Sequence, residues 1–119
     1  MTTFGGFVKD LRIKKSLTLR EFCRISHLDP SNWSKIERDL FQPPKSKKVL
    51  NELAKVLNLE VGSDDYATLF DLAAIAFIPP DLLSDQQVIE KLPVFFRTVR
   101  GEKPNRKELE ELIDLLKKE

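Results

Sequence analysis

Two helix-start signals, eleven residues apart, limit most narrowly what the N-terminal half of this chain can fold into. Thr18 is a preferred N-cap residue, and Glu21, three positions later, completes a capping box. Asp29 is a second N-cap residue, and Pro30 follows at the first helical position, where its missing N–H removes no hydrogen bond. The sequence therefore predicts a short helix over Leu19–Ser26, a short turn, and a further helix that begins at Pro30.

Apolar residues keep helical spacing along the rest of the chain, and no segment alternates in polarity as a strand does. The predicted helices span residues 4–15, 19–26, 30 to 38 or 39, 47–57, 65–77, 82–99 as one or two short helices interrupted at Pro93, and 106–118 after the N-cap Asn105. A loop is expected at 40–44 and a hinge at 101–104. We therefore expect an all-α protein.

The composition limits the compartment and the chemistry. Cys23 is the single cysteine, so no intramolecular disulfide can form. The longest apolar stretch, 72–80, ends in two prolines and is too short to cross a membrane, and residues 1–15 lack the apolar region of a signal peptide. No nucleophile elbow, phosphate loop, dinucleotide fingerprint or metal-binding spacing is present. We expect a cytoplasmic protein that is not an enzyme and holds no cofactor or metal.

The charge of the chain is divided unevenly between its halves. The formal net charge is only +1, but residues 1–60 carry 12 Lys and Arg against 7 Asp and Glu, a net of +5. Residues 61–119 carry 8 against 12, a net of −4. A basic N-terminal half and an acidic C-terminal half indicate that the N-terminal half faces an anion. Ordinary scatter of charge is an alternative that this pattern alone leaves open.

The predicted helix pair has the residue types that a helix-turn-helix requires. Inward positions must be apolar to hold the two helices at a fixed angle, and outward positions near the start of the second helix must carry hydrogen-bonding groups. The inward set is Phe22, Cys23, Leu28, Trp33 and Ile36, and the outward set is Ser31, Asn32, Ser34 and Lys35. The sequence therefore predicts that the second helix enters the major groove of double-stranded DNA, which is wide enough for a helix.

Other roles for three of these residues are less favoured. Trp33 would have to leave its inward register to stack on a nucleobase, and duplex DNA hides the base faces, so packing in the core is preferred. His27 is the only histidine and has no cluster of ligands around it, so we interpret it as a turn residue. Cys23 stands at a small core position, where inert packing is favoured over redox sensing.

Short motifs follow one another in a specific order between Leu11 and Leu57. They are Leu11-Arg12, Leu17-Thr18, Phe22-Cys23, Leu28, Trp33-Ser34-Lys35-Ile36-Glu37-Arg38, Pro43 and Leu53-Ala54-Lys55-Val56-Leu57. This order resembles the XRE type, the phage-repressor-like helix-turn-helix family, over roughly residues 4–60, about half of the chain. The resemblance implies a five-helix repressor-like DNA-binding domain. We assign that domain to residues 1–62 and a helical C-terminal extension to residues 63–119, packed on the domain, used for dimerisation, or both.

The resemblance implies roles for the side chains of the second helix. Ser31 and Lys35 match the positions at which the family reads bases. Asn32 and Ser34 match positions that reach bases or phosphates. Arg38 matches a phosphate-facing position just after the helix. These five residues are therefore expected to contact DNA.

Further residues outside this helix complete the expected site. Arg12 and Glu37 match a pair that the family often joins as an ion pair, and an oriented Arg12 can also face the DNA backbone. Thr18 matches the N-cap of the first helix of the motif. Lys45, together with the nearby Lys47 and Lys48, is placed either beside the DNA phosphates or at a solvated helix start, and the sequence leaves both open.

The chain departs from the family pattern at several positions. Leu19 stands where many members have a glutamine that touches a phosphate, and Pro30 replaces a side chain that often reads a base. His27 and Asp39 stand where the family commonly has glycine, and a left-handed backbone at His27 is costly for histidine, though less so than for a branched residue. Asp29-Pro30 is nevertheless expected to present a free helix N-terminus, which suits a phosphate.

Two functions of different class follow from these expectations. The first is a homodimeric transcriptional repressor, because symmetric dimers commonly read two DNA half-sites. The second is an antitoxin-like regulator whose C-terminal half binds a partner protein. The apolar segment 92–96 serves either the core or such an interface. The apolar stripe of the last predicted helix, expected to pack within the chain or on a second copy, is Leu109, Leu112, Ile113 and Leu116.

Overall fold

A computed structural model of the chain describes residues 3–100 together with Lys107, Glu110, Glu111 and Asp114. All regular secondary structure in this part is α-helical, with no strand, so the predicted all-α class is confirmed. The helices are α1 (Phe4–Lys14), α2 (Leu19–Ser26), α3 (Pro30–Glu37), α4 (Lys47–Val56), α5 (Asp64–Ile75), α6 (Pro80–Leu83) and α7 (Gln86–Val99). None of the described helices is both long and apolar enough to cross a membrane.

The chain divides into two compact units, residues 1–76 and 77–119. The first unit contains α1 to α5, in which α1 packs on α3 and α5, α2 packs on α3 and α4, and α4 packs on α5. Helix α5 belongs to this unit because Leu69, Phe70 and Ala73 are buried in its core. The first unit therefore extends beyond residue 62, and the assignment of a DNA-binding domain to residues 1–62 stays a prediction.

The core of the first unit is centred on the indole of Trp33, which is 1 % exposed. The ring of Phe4 meets it edge-on with centroids 6.3 Å apart, and the ring of Phe22 lies tilted at 5.6 Å. These three rings bring α1, α2 and α3 together, and edge-on or tilted packing is the arrangement that aromatic quadrupoles prefer. The remaining fully or nearly buried apolar residues are Val8, Cys23, Leu50, Leu53, Ala54, Leu57, Leu69, Phe70 and Ala73.

Each of the first four helices is followed by a non-glycine residue in the left-handed region. These residues are Ser16, His27, Asp39 and Asn58, with φ between 57° and 62°. In each case the next residue is a leucine whose N–H donates to a carbonyl five residues earlier, over 2.8 to 3.1 Å. This is the Schellman arrangement, which satisfies the free carbonyls at a helix C-terminus. Three of these leucines pack against the core, namely Leu17, Leu28 and Leu59. Leu40 differs from them, since it is 63 % exposed.

Helix α7 runs without a break from Gln86 to Val99 and contains Pro93 in its interior. The predicted interruption at Pro93 is therefore wrong. Proline cannot donate to the carbonyl four residues earlier, here that of Ile89, and this usually ends or kinks a helix. Both Pro93 and Ile89 are exposed, so water can replace the missing donor.

The predicted last helix is described only in part. Lys107, Glu110, Glu111 and Asp114 are helical. The stripe of Leu109, Leu112, Ile113 and Leu116 lies outside the described residues, as do the predicted hinge at 101–104 and the N-cap Asn105. Lys91 of α7 forms an ion pair with Glu111. The hydrogen bond and the positive charge of Lys91 lower the pKa of the Glu111 carboxyl.

Gly5 permits the closest approach of α1 to α3. A Cβ at this position would lie 2.8 Å from the carbonyl oxygen of Glu37 and closer still to that of Ile36, neither of which can move without displacing α3. Thr3 adds a second link, since its hydroxyl donates to a carboxylate oxygen of Asp39 at 2.9 Å. A residue that weakens the helix start in isolation is therefore required by the tertiary contact.

Gly5→Ala should lower the free energy of unfolding by about 1–3 kcal/mol, because the new methyl group overlaps backbone atoms of α3. Gly6→Ala is the matched control, since a Cβ there meets only the hydroxyl of Thr3, at 3.2 Å. The control should be neutral or gain up to about 1 kcal/mol from helix propensity. Urea denaturation followed by circular dichroism measures both, and equal stability of the two variants would rule out the close approach.

Candidate nucleic-acid interface

The turn between α2 and α3 consists of His27, Leu28 and Asp29. His27 adopts φ 57° and ψ 44°, and Leu28 N–H donates to Cys23 O at 2.9 Å. His27 thus takes the left-handed conformation at a position where the family that the sequence resembles commonly has glycine. His adopts left-handed backbone several-fold more often than most non-glycine residues, and branched residues rarely do, so the turn keeps its geometry.

A buried carboxylate, that of Glu37 at the end of α3, holds this helix in place. Glu37 Oε1 accepts a hydrogen bond from Arg12 Nη2 at 2.8 Å. Its Oε2 accepts from Arg12 Nε and from Trp33 Nε1, both at 2.9 Å. Arg12 Nη1 donates to Leu17 O at 2.8 Å. The guanidinium of Arg12 therefore links α1, α3 and the loop that leads to α2.

The structure gives Arg12 an interior position. Its side chain is 10 % exposed and that of Glu37 is 4 % exposed. The hydrogen bond to Glu37 raises the pKa of the Arg12 guanidinium, and this outweighs the lowering that burial causes. Little of Arg12 is accessible to a ligand, so its contacts in this structure are those of a structural ion pair.

Glu37→Ala should destabilise the protein by about 3–5 kcal/mol, because it leaves a buried guanidinium without its partner. Glu52→Ala removes an exposed glutamate on α4 and serves as the control, with an expected change within about 0.5 kcal/mol. Thermal unfolding monitored by circular dichroism compares the two. An unchanged melting temperature for Glu37→Ala would contradict the buried network.

The exposed face of α3 collects most of the residues predicted to contact DNA. Ser31 and Lys35 lie one turn apart on the same side of the helix, and Ser34 and Arg38 continue that side. Ser31 and Arg38 are exposed, whereas Ser34 and Lys35 are partly exposed. Asn32 is also exposed in the first turn of α3. The helix therefore presents polar side chains on one face.

The opposite face of α3 is committed to the interior. Trp33 is 1 % exposed and Glu37 is 7 % exposed. Because Trp33 packs on α1 and α2 and Glu37 pairs with Arg12 of α1, α3 cannot rotate about its axis without breaking the core and the ion pair. The structure thus separates a locked face from a solvent-facing polar one.

The N-terminus of α3 is not the free anion site that the sequence suggested. The carboxylate of Asp29 accepts a hydrogen bond from Asn32 N–H at 3.0 Å. This cap takes one of the amide donors and places a negative charge where a phosphate would have to approach. The predicted phosphate site at Asp29-Pro30 is therefore wrong.

Two further predicted residues lie near helix starts. Thr18 forms the complete capping box, accepting from Glu21 N–H at 3.1 Å while Glu21 Oε1 accepts from Thr18 N–H at 3.3 Å. The Thr18 hydroxyl is exposed and, having accepted one bond, still has its own hydrogen to donate. Lys45 is exposed in the loop before α4.

One feature near Lys35 was missed by sequence reasoning. The Lys35 ammonium nitrogen lies 4.9 Å from the ring centroid of Phe41, in the loop after α3. Phe41 is 46 % exposed. Because α3 ends between Lys35 and Phe41, helical periodicity does not relate these two residues and could not predict their contact. The available hint was an unexplained apolar pair, Leu40-Phe41, in an otherwise polar loop.

Cys23 should be unreactive in the folded protein. Burial raises the pKa of its thiol, and the nearby negative charge of Glu37 acts in the same direction. We expect Ellman's reagent to modify Cys23 slowly in native buffer at neutral pH and promptly after unfolding in guanidinium chloride. Rapid modification of the native protein would show that this position opens to solvent.

Among the described residues, no group of three or more His, Cys, Asp and Glu side chains could hold a metal ion. Comparisons with known proteins found no significant match to a family model, to a curated protein or to a solved structure. The geometry of α2, α3 and the loops around them is therefore the basis for a function.

Proposed function

We propose that this protein binds double-stranded DNA by placing α3 and the Arg38 that follows it in the major groove, and that it acts as a transcriptional regulator, most simply a repressor. The observation that carries the proposal is the division of α3 into two faces. Trp33 and Glu37 lock one face to the core, while Ser31, Asn32 and Lys35 stand on the surface. A reading helix needs this combination, because base contacts tolerate little movement of the helix.

The outward side chains suit contacts with base edges. Asn32 has both a donor and an acceptor, which match the N6 and N7 atoms of adenine. Lys35 supplies donors that match the O6 and N7 acceptors of guanine. Ser31 adds a hydroxyl that serves either type of edge. With Pro30 at the first position of α3, the reading surface begins one residue later than in the family that the sequence resembles.

The basic residues supply the contacts that do not depend on base sequence. Arg38 follows the exposed face of α3, Lys45 is exposed in the loop before α4, and Lys47 and Lys48 are exposed in its first turn. Such side chains neutralise phosphates and release counterions, so affinity falls as salt rises. The net charge of +5 over residues 1–60 supports this interpretation.

Selection of duplexes from a random library tests the proposal. We expect an inverted-repeat site, because a homodimer would place two copies of α3 about one DNA turn apart, roughly 34 Å. Affinity for that site should exceed affinity for random DNA by at least about 10³ and should fall steeply with salt. Weak binding without sequence preference would refute a sequence-specific regulator.

The double variant Ser31→Ala, Lys35→Ala should lose roughly 1–3 kcal/mol of specific binding free energy for each base contact removed. Lys55→Ala is the charge-matched control, since this exposed lysine lies on α4. It should change specific and random-sequence affinity alike, if at all. Fluorescence anisotropy at two salt concentrations makes the comparison. Specific affinity equal to wild type in the double variant would refute α3 as the reading helix.

A second candidate function rests on the second unit. Ile89 and Phe95 of α7 are exposed, at 41 % and 37 %, and the rings of Phe95 and Phe96 lie 5.7 Å apart. These exposed apolar side chains are available for contact with another protein, which buries apolar surface of this kind. An antitoxin-like regulator would use this unit to hold a partner while α3 binds DNA. Sedimentation of the purified protein distinguishes a self-contained dimer from a chain that lacks its partner.

A further inference from the structure

The loop after α3 holds Phe41 in a defined place. Asp39, with φ 62°, reverses the chain, and Leu40 N–H then donates to Lys35 O at 2.8 Å. Phe41 N–H reaches the same oxygen at 3.3 Å. The Asp39 carboxylate also accepts from the hydroxyl of Thr3 at 2.9 Å. The position of Phe41 relative to Lys35 is therefore set by backbone hydrogen bonds to Lys35 itself.

The ring of Phe41 attracts the ammonium of Lys35 without neutralising it. Lys35 Nζ lies 4.9 Å from the ring centroid, within the range of a cation–π interaction. A carboxylate in this place would cancel the positive charge. The ring has no formal charge, so the ammonium keeps its charge and its N–H donors for another acceptor. Lys35 is partly exposed and Phe41 is 46 % exposed, so the pair remains accessible beside the polar face of α3.

We propose that Phe41 is a positioning residue that holds the Lys35 ammonium for recognition of one guanine in the major groove. The inference rests on the proposed DNA-binding function. A lysine side chain has a long flexible stem and loses rotamer freedom when it binds a base edge. Holding its end against a ring before binding reduces that loss, and O6 and N7 of guanine are the acceptors that lysine reads.

The contact itself is tested without DNA. Protons above an aromatic ring resonate upfield, so the ε-methylene protons of Lys35 should be shifted upfield in the NMR spectrum of the wild-type protein. The shift should persist in Phe41→Tyr, which keeps the ring, and vanish in Phe41→Leu, which keeps an apolar side chain of similar size. Unshifted protons in the wild-type protein would overturn the proposal.

The role in recognition is tested on the duplex selected by the wild-type protein. Phe41→Leu should weaken binding to that duplex about two- to fivefold, and Phe41→Tyr should restore it. Binding to a random-sequence duplex should not change. In a Lys35→Ala background, Phe41→Leu should have no further effect. Replacing one G·C pair should cost the wild-type protein affinity and cost Lys35→Ala nothing, which identifies the guanine.

The outcomes separate this inference from the proposed function. If the wild-type protein selects no duplex, the DNA-binding function fails and recognition of guanine fails with it. If the wild-type protein binds its duplex specifically and Phe41→Leu binds equally well, only the role of Phe41 is overturned. An equal loss with Lys35→Ala present, or with random DNA, would also overturn it, because Phe41 would then act independently of Lys35.

Discussion

The buried carboxylate of Glu37 determines the position of α3, and much of the first unit depends on it. Its two oxygens accept three hydrogen bonds from Arg12 and Trp33, and Arg12 in turn donates to the carbonyl of Leu17. A buried charge is tolerated only when its partners are present and well oriented, so this network permits few alternative arrangements of α1 and α3. Gly5 adds to the constraint, because α1 approaches the backbone of α3 too closely for any side chain at that point.

The way each helix ends sets the backbone geometry of the loop that follows it. Four consecutive helices stop at a left-handed residue followed by a leucine, and in three cases that leucine packs on the core. After α3 the same ending leaves Leu40 and Phe41 at the surface, next to Lys35. The common backbone geometry thus caps all four helices, and after α3 it also places an aromatic ring at the surface.

Much of the site could be predicted from local signals. Caps at Thr18 and Asp29 placed α2 and α3, and helical spacing put Ser31 and Lys35 opposite Trp33. The errors occurred where two local rules compete. Asp29 was interpreted both as an N-cap and as the edge of a free anion site. Its carboxylate accepts the hydrogen bond of Asn32 N–H, so the helix N-terminus is capped and not free. Pro93 was treated as a helix stop, although an exposed turn tolerates the lost hydrogen bond.

The sequence by itself determined where α1 to α5 start, to within one residue, and which of their faces are apolar, because caps and periodicity act within a few residues of one another. Tertiary structure decided what depends on distant residues. It placed α5 in the first unit through its burial against α1 and α4, and required glycine at position 5 because α3 lies there. It also brought the ring of Phe41 to Lys35, since the chain reverses at Asp39. Contacts of this kind arise only when the helices pack, and no local pattern encodes them.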